Sequence, residues 1–288
     1  MPVGRTVPSL MLLRELDQLR QSSGVSSERA ARELGCRVSK ISRIFLGQSR
    51  ITAGDTKLLA ELYGADPRLT NVLVELARNL SLSDTRGGEE SVYRTPFVLL
   101  PDLERHSSRI RMVQSEIIPG LLQTEGYMRA LNEVPVPFGR SVSSDEVVRA
   151  GRERQEVLFR TEPTTMLSFV LSESALRRER GDRSVMREQI QRLLELGELP
   201  NVQLQVLPFA NPTRVTFASL NFELMHLPGP GLITSLDFVY IELYDDASYL
   251  DDEDRVAAYE QLWGHLQAAA LGPSESVGLL GRAAREYG

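Results

Sequence analysis

The chain has 288 residues, a single cysteine and a formal net charge of −6, with 42% hydrophobic and 25% charged residues. This is a globular composition, which excludes wholesale disorder, and no run of about 18 apolar residues exists to cross a bilayer. The charge is uneven: residues 1–80 hold 12 basic and 8 acidic side chains, whereas the remaining 208 hold 21 and 31. A modestly basic N-terminal unit ahead of an acidic body suggests a small module that faces nucleic acid.

The first twenty residues interleave Arg14, Glu15 and Asp17 with leucines, so they lack the unbroken apolar core of a secretory signal. The lone Cys36 has no intrachain disulfide partner, which fits a reducing cytoplasm. Leu12, Leu13, Leu16 and Leu19 recur at helical spacing over 10–22, and Gly24 ends that helix. Ser26 and Ser27 suit the cap of a second short helix, SERAAREL, which stops at Gly35. A third, from about Val38 to Leu46, puts Ile41, Ile44 and one of Phe45 or Leu46 on one face. Thr52 or Asp55 caps a fourth, with Leu58, Leu59 and Leu62. Helix continues over 64–80 with Pro67 near its first turn. The reading is an all-α domain over 1–80 and a polar, Gly-rich linker over 81–91.

Residues 26–47 have the spacing of a DNA-binding helix-turn-helix. Ala30 and Ala31 are small enough for two helices to cross closely, and Gly35 permits the turn. With Ile41 and Ile44 inward, Arg37, Val38, Ser39, Lys40, Ser42 and Arg43 lie on the outer side. A helix so arranged fits the major groove of double-stranded DNA. Arg43 is placed to read guanine and Val38 to touch a thymine methyl. Arg37, Lys40 and Arg50 are candidate phosphate contacts. The alternative is a small bundle with a solvated basic face. The string LGCRVSKISRIFLGQS resembles the XRE (xenobiotic response element) class of phage-repressor-type helix-turn-helix domains, matching it at Leu34, Gly35, Ser39, Ile41, Ser42, Arg43 and Gly47. It departs from the pattern at Ser27 and Val38, where glutamine is usual, and at Phe45, where glutamate is usual. The resemblance makes Ser27 a further DNA-facing candidate.

The remainder, 92–288, alternates. Helix is predicted over 101–117, after the PGLLQT segment at 125–134, over 145–160, 184–199 and 253–271, and in a short terminal segment. Strand-like runs fall at 165–172, 202–209, 217–225 and 238–244, and the Pro- and Ser-rich 133–144 reads as loop. The expected fold class is α+β: a helix-turn-helix bundle, then a mixed domain with an approximately four-stranded sheet. In PGLLQT, Pro119-Gly120 make a turn, Leu121 and Leu122 enter the core, and Thr124 caps the next helix. Two readings stay open: a turn and cap that lock the domain, or a ligand pocket around Gln123 and Tyr127.

Little points to catalysis. His106, His226 and His265 have no His or Cys neighbour at zinc spacing, so no metal site is expected. There is no phosphate-binding G-x-x-x-x-G-K-[ST] loop and no G-x-S-x-G elbow, and GPG at 229–231 reads as a turn between strands. No catalytic residue and no cofactor is expected. Cys36 reads as a small packing residue. Asp251 to Asp254 read as the cap of the long helix that follows rather than a calcium loop. Arg177, Arg178, Arg180 and Arg183 read as a charged loop that pairs with the acidic body, with phosphate binding as the alternative.

Three segments carry a second resemblance: IIPGLLQTEGYMRAL (117–131), residues 171–209 ending in PNVQLQVLPF, and residues 238–271 with YLDD. With the N-terminal domain they resemble the actinobacterial XRE regulators with a large C-terminal domain, the WhiJ-type or antitoxin-like regulators. The resemblance implies a cytoplasmic transcriptional regulator, often encoded beside a small partner protein. A repressor-type helix-turn-helix also implies a homodimer spanning two half-sites. The leading reading is a sequence-specific DNA-binding regulator whose C-terminal domain dimerises and senses a small-molecule effector or a partner protein. The alternatives are an antitoxin-like module that holds a small partner, and a transferase-type enzyme with a vestigial or RNA-directed helix-turn-helix.

Overall fold

The computed structural model describes residues 6–83, 97–133, 142–210, 221–243 and 246–288. The chain divides into two compact units. Unit 1 holds residues 1–91 together with Pro228–Leu236, and unit 2 holds Val92–Leu227 and Asp237–Gly288.

Unit 1 is helical. Helix α1 (Val7–Ser23) buries Leu12, Leu13 and Leu16. It stops at Gly24, whose φ of +66° suits a residue without Cβ. Helix α2 (Ser27–Glu33) is capped by Ser26, whose hydroxyl accepts from the Arg29 N–H at 3.3 Å; Ser27 is the first helical residue instead. Ala30 and Ala31 are buried, and the turn passes through Gly35 at φ +58°. Helix α3 (Val38–Phe45) buries Ile41 and Ile44 completely. Thr52, not Asp55, caps α4 (Ala53–Leu62), accepting from the Asp55 N–H at 3.0 Å. Asp66 does the same for α5 (Pro67–Ser83), accepting from the N–H groups of Arg68 and Leu69. Leu12, Leu16, Ile41, Ile44, Leu59 and Leu73 are fully buried and form the core. The segment Pro228–Leu236 adds Ile233, nearly buried, and a hydrogen bond from the Thr234 N–H to the Glu15 carboxylate at 3.3 Å. The GPG turn belongs to this segment. A Cβ on Gly229 would lie 1.8 Å from the Ile233 carbonyl oxygen, so the backbone there folds onto itself.

Unit 2 is a mixed six-stranded sheet covered by helices. Its strands are β1 (Arg109–Gln114), β2 (Met166–Ser172), β3 (Val202–Leu207), β4 (Phe222–Leu227), β5 (Leu236–Glu242) and β6 (Ala247–Leu250). Their order is β3-β2-β1-β4-β5-β6. β1 and β3 run parallel to β2, β4 is antiparallel to β1, and β6 is antiparallel to β5. The unit's helices are α6 (Leu100–His106), α7 (Glu125–Asn132), α8 (Ser144–Gln155), α9 (Glu173–Arg177), α10 (Arg183–Leu196), α11 (Glu253–Ala269) and α12 (Pro273–Glu286). Val113, Val170, Phe222, Leu224 and Val239 pack with Val256, Trp263 and Leu266 of α11. At the β3 edge the buried Ser276 hydroxyl of α12 accepts from the Val206 N–H at 3.0 Å, which satisfies an otherwise orphaned donor.

The α+β class holds, with two more strands than the four expected. The helix expected over 101–117 ends at His106, and RIRMVQ forms β1 at the centre of the sheet. Its alternation of Arg109 and Arg111 with Ile110 and Met112 has the period of a strand. The sixth strand, ASYL, lies inside the acidic stretch. Asp252 caps α11, accepting from the Arg255 N–H at 3.1 Å. Most of the predicted 81–91 linker and of the 133–144 loop, and part of the predicted 217–225 strand, fall outside the described residues. No helix of the described residues is long and apolar enough to cross a membrane.

Candidate functional site

The helix-turn-helix exterior is built from α3. Because Ile41 and Ile44 are inside, Val38, Ser39, Ser42 and Arg43 are left on the opposite face, and all four are exposed. Arg37 stands at the N-cap of α3 and is also exposed. The Arg43 Nε donates to the Ser39 carbonyl at 3.3 Å, which lays its stem along the helix. Neither Arg37 nor Arg43 has a carboxylate partner among the described residues. Both charges are therefore available to a phosphate or a base edge.

Lys40 differs from the expectation. Its ammonium is only half-exposed and pairs with Asp55 in the first turn of α4 at 3.5 Å. A phosphate would compete with that carboxylate for it. Ser27 is half-buried and Arg50 exposed. Exposed Glu28 sits at the start of α2, where its own backbone N–H and then the Ser26 hydroxyl hold its carboxyl below the usual range. Phe45 does not join the outer row. The Arg20 guanidinium of α1 lies 5.4 Å from its ring centroid, and Arg20 also forms two hydrogen bonds to Asp17, at 2.9 and 2.7 Å. That cation–aromatic contact occupies the position where the helix-turn-helix pattern carries glutamate. No local signal announces it, since Arg20 and Phe45 lie on separate helices.

In unit 2 the PGLLQT segment is held by three side-chain amides. The Gln123 amide donates to the Ile118 carbonyl at 2.6 Å. The Gln155 amide donates to the carbonyls of Gly120 and Gln123, at 3.0 and 2.8 Å. Buried Gln189 accepts from the Thr124 N–H at 2.7 Å and donates to the Leu122 carbonyl at 2.8 Å. Thr124 caps α7. These bonds give the segment a locking role, and Gln155 and Gln189 are the residues that sequence reasoning missed. Tyr127 is completely buried, and its hydroxyl accepts from the Ile118 N–H at 3.3 Å. Burial pushes that phenol up. Gln123 does line a cleft of 580 Å³, but Tyr127 is not among the residues around it.

A second cleft, of 450 Å³, has Arg105, Arg154 and Arg160 among its walls. Arg154 holds the buried Glu104 through two bonds of 2.7 Å. Near them Glu223 of β4 is buried, and its Oε2 has no hydrogen-bond partner. Burial first, and then the charge of Glu104, push the Glu223 carboxyl well above the usual carboxylate range, against the pull of Arg154. Burial first, and then the charges of Glu223 and Glu242, raise the phenols of Tyr240 and Tyr249. Of the arginines near Gly181, Arg177 pairs with Glu173 and Glu286, Arg178 with Glu116, and Arg183 donates to the Glu286 carbonyl, whereas the buried Arg180 Nε has no hydrogen-bond partner. Among the described residues no three His, Cys, Asp or Glu side chains are grouped to hold a metal.

Residues 12–73 match the model of a helix-turn-helix domain, and residues 97–282, more than half of the chain, match that of a domain of unknown function (DUF5753). No curated protein and no solved structure matches the chain.

Proposed function

The chain belongs to the DUF5753 family and carries a helix-turn-helix domain ahead of that region, and from this premise we propose that it is a sequence-specific, DNA-binding transcriptional regulator. The observation that carries the reading is the outer row of α3. Arg37, Val38, Ser39, Ser42 and Arg43 are exposed together while Ile41 and Ile44 anchor the helix from beneath. Double-stranded DNA meets this row in the major groove. Arg43 reads a guanine edge and Val38 a thymine methyl. Arg37 and Arg50 hold phosphates, joined by Lys40 once it leaves Asp55, and Ser27 approaches the backbone from α2. The protein acts in the cytoplasm as a homodimer on two half-sites, and its C-terminal domain receives the signal.

The test is a salt-dependent titration of genomic fragments, the protein's own promoter among them. Arg43→Ala is expected to cost about 1–3 kcal/mol on the preferred sequence and to relax preference at one base pair. Arg37→Ala is expected to weaken all sequences alike and to lower the salt slope by about one. Weak binding that ignores both sequence and Arg43 would overturn the proposal.

A further inference from the structure

The 580 Å³ cleft lies among α7, α8, α10 and residues 156–159, all within unit 2. Its volume falls within the range of roughly 300–1,000 Å³ typical of small-molecule sites. Its walls carry four carboxylates, Glu125, Glu156, Glu188 and Glu195, against two guanidinium groups. Arg152 is taken up by Glu125, and Arg192 lies 3.5 Å from Glu195. Glu156 and Glu188 are exposed, and their carboxylates have no ion-pair or hydrogen-bond partner among the described residues. Two negative charges therefore face the cleft uncompensated, which disfavours an anion there. Gln155 spends its amide N–H groups on the carbonyls of Gly120 and Gln123, so what it retains is an acceptor.

The apolar part of the wall is Met128 and Phe159. Phe159 is 53% exposed, so its ring is open to the cleft. The Arg192 guanidinium lies 5.8 Å from its ring centroid, so this ring already serves as a cation platform. Unpaired carboxylates, a spare amide acceptor and a ring that already receives a guanidinium on one face favour the same kind of ligand.

We propose that this cleft binds a small organic cation, one or two ammonium or guanidinium groups on a short apolar spacer. Glu156 and Glu188 meet the charges, and Phe159 and Met128 carry the spacer. The proposal gives a chemical class to the signal in the regulator reading and rests on that reading for its biological sense. Binding itself is measured without DNA, so the two fail separately.

The experiment is calorimetric titration of the full-length protein with agmatine, which joins a guanidinium to an ammonium through four methylenes. Glutarate, a dianion with a similarly short spacer, is the control. Saturable agmatine binding is expected, with none for glutarate. The double variant Glu156→Gln/Glu188→Gln changes only exposed side chains and is expected to weaken agmatine about tenfold or more. Phe159→Ala should weaken it severalfold. Agmatine that binds no better than glutarate, or with equal affinity to wild type and the double variant, would overturn the proposal.

Discussion

The outer face of α3 and the polar layer around Glu104, Arg154 and Glu223 use charged side chains in opposite ways. On α3, Arg37 and Arg43 stand in solvent with no carboxylate partner among the described residues. In unit 2, Arg154 is mostly buried and clamps a Glu104 that is 1% exposed, beside a Glu223 that is 5% exposed. The chemistry of the two guanidinium groups is the same. A solvated arginine costs the fold little and is free to bind, whereas a desolvated one is committed to the carboxylate that neutralises it. Exposure decides whether such a residue serves a partner or the fold.

Removing the buried cation should have the largest effect. Arg154→Met should destabilise the protein by about 3–5 kcal/mol in urea unfolding, because it leaves Glu104 buried and unpaired near Glu223. Arg43→Ala, in contrast, should leave the unfolding midpoint within about 0.5 kcal/mol of wild type, while costing the DNA affinity predicted above. Equal stability losses in the two variants would erase the distinction between the regions.

The buried layer should also give stability a pH dependence that α3 lacks. Glu223 holds its proton in the folded state above the pH at which an unfolded glutamate releases it, near 4.3. Its contribution is fully present below that value. It declines by up to about 1.4 kcal/mol per pH unit as pH rises toward the folded titration point. Glu223→Gln should flatten that slope when urea midpoints are compared between pH 5 and pH 8, with Glu104, Arg154 and Glu242 unchanged. Parallel slopes would mean that the carboxylate is compensated in the fold. A modest effect belongs to the surface caps. Ser26→Ala should cost about 1 kcal/mol by freeing the Arg29 N–H, and should lower DNA affinity only as far as α2 frays.

Much of the architecture was legible in the sequence. Ser26, Thr52, Thr124 and Asp252 are caps in the structure, and the turns at Gly24 and Gly35 fall where the spacing put them. The inward Ile41 and Ile44 followed from helical period alone. β1 escaped because a six-residue strand follows directly on a short helix, and the combined stretch imitates a longer helical pattern. β6 escaped because ASYL is short and flanked by acidic residues. The PGLLQT segment was readable as a turn and cap, but its partners Gln155 and Gln189 stand 32 and 65 residues away from the groups they hold.

Helical period, capping and turn chemistry act between residues a few positions apart, so they are written into the chain and survive any reading of it. They establish the helix-turn-helix and which of its side chains face outward. Ion pairs and burial join residues whose separation along the chain says nothing about their distance in space. Glu104 and Arg154 are 50 residues apart, and Lys40 and Asp55 lie on different helices. The assignment of Pro228–Leu236 to the helical unit is of the same kind. The fold alone decided that Lys40 is held by Asp55 while Arg43 is not held, that Phe45 lies under Arg20, and that Glu223 is sealed away from water. Each of these depends on which surfaces meet, and that is a property of packing.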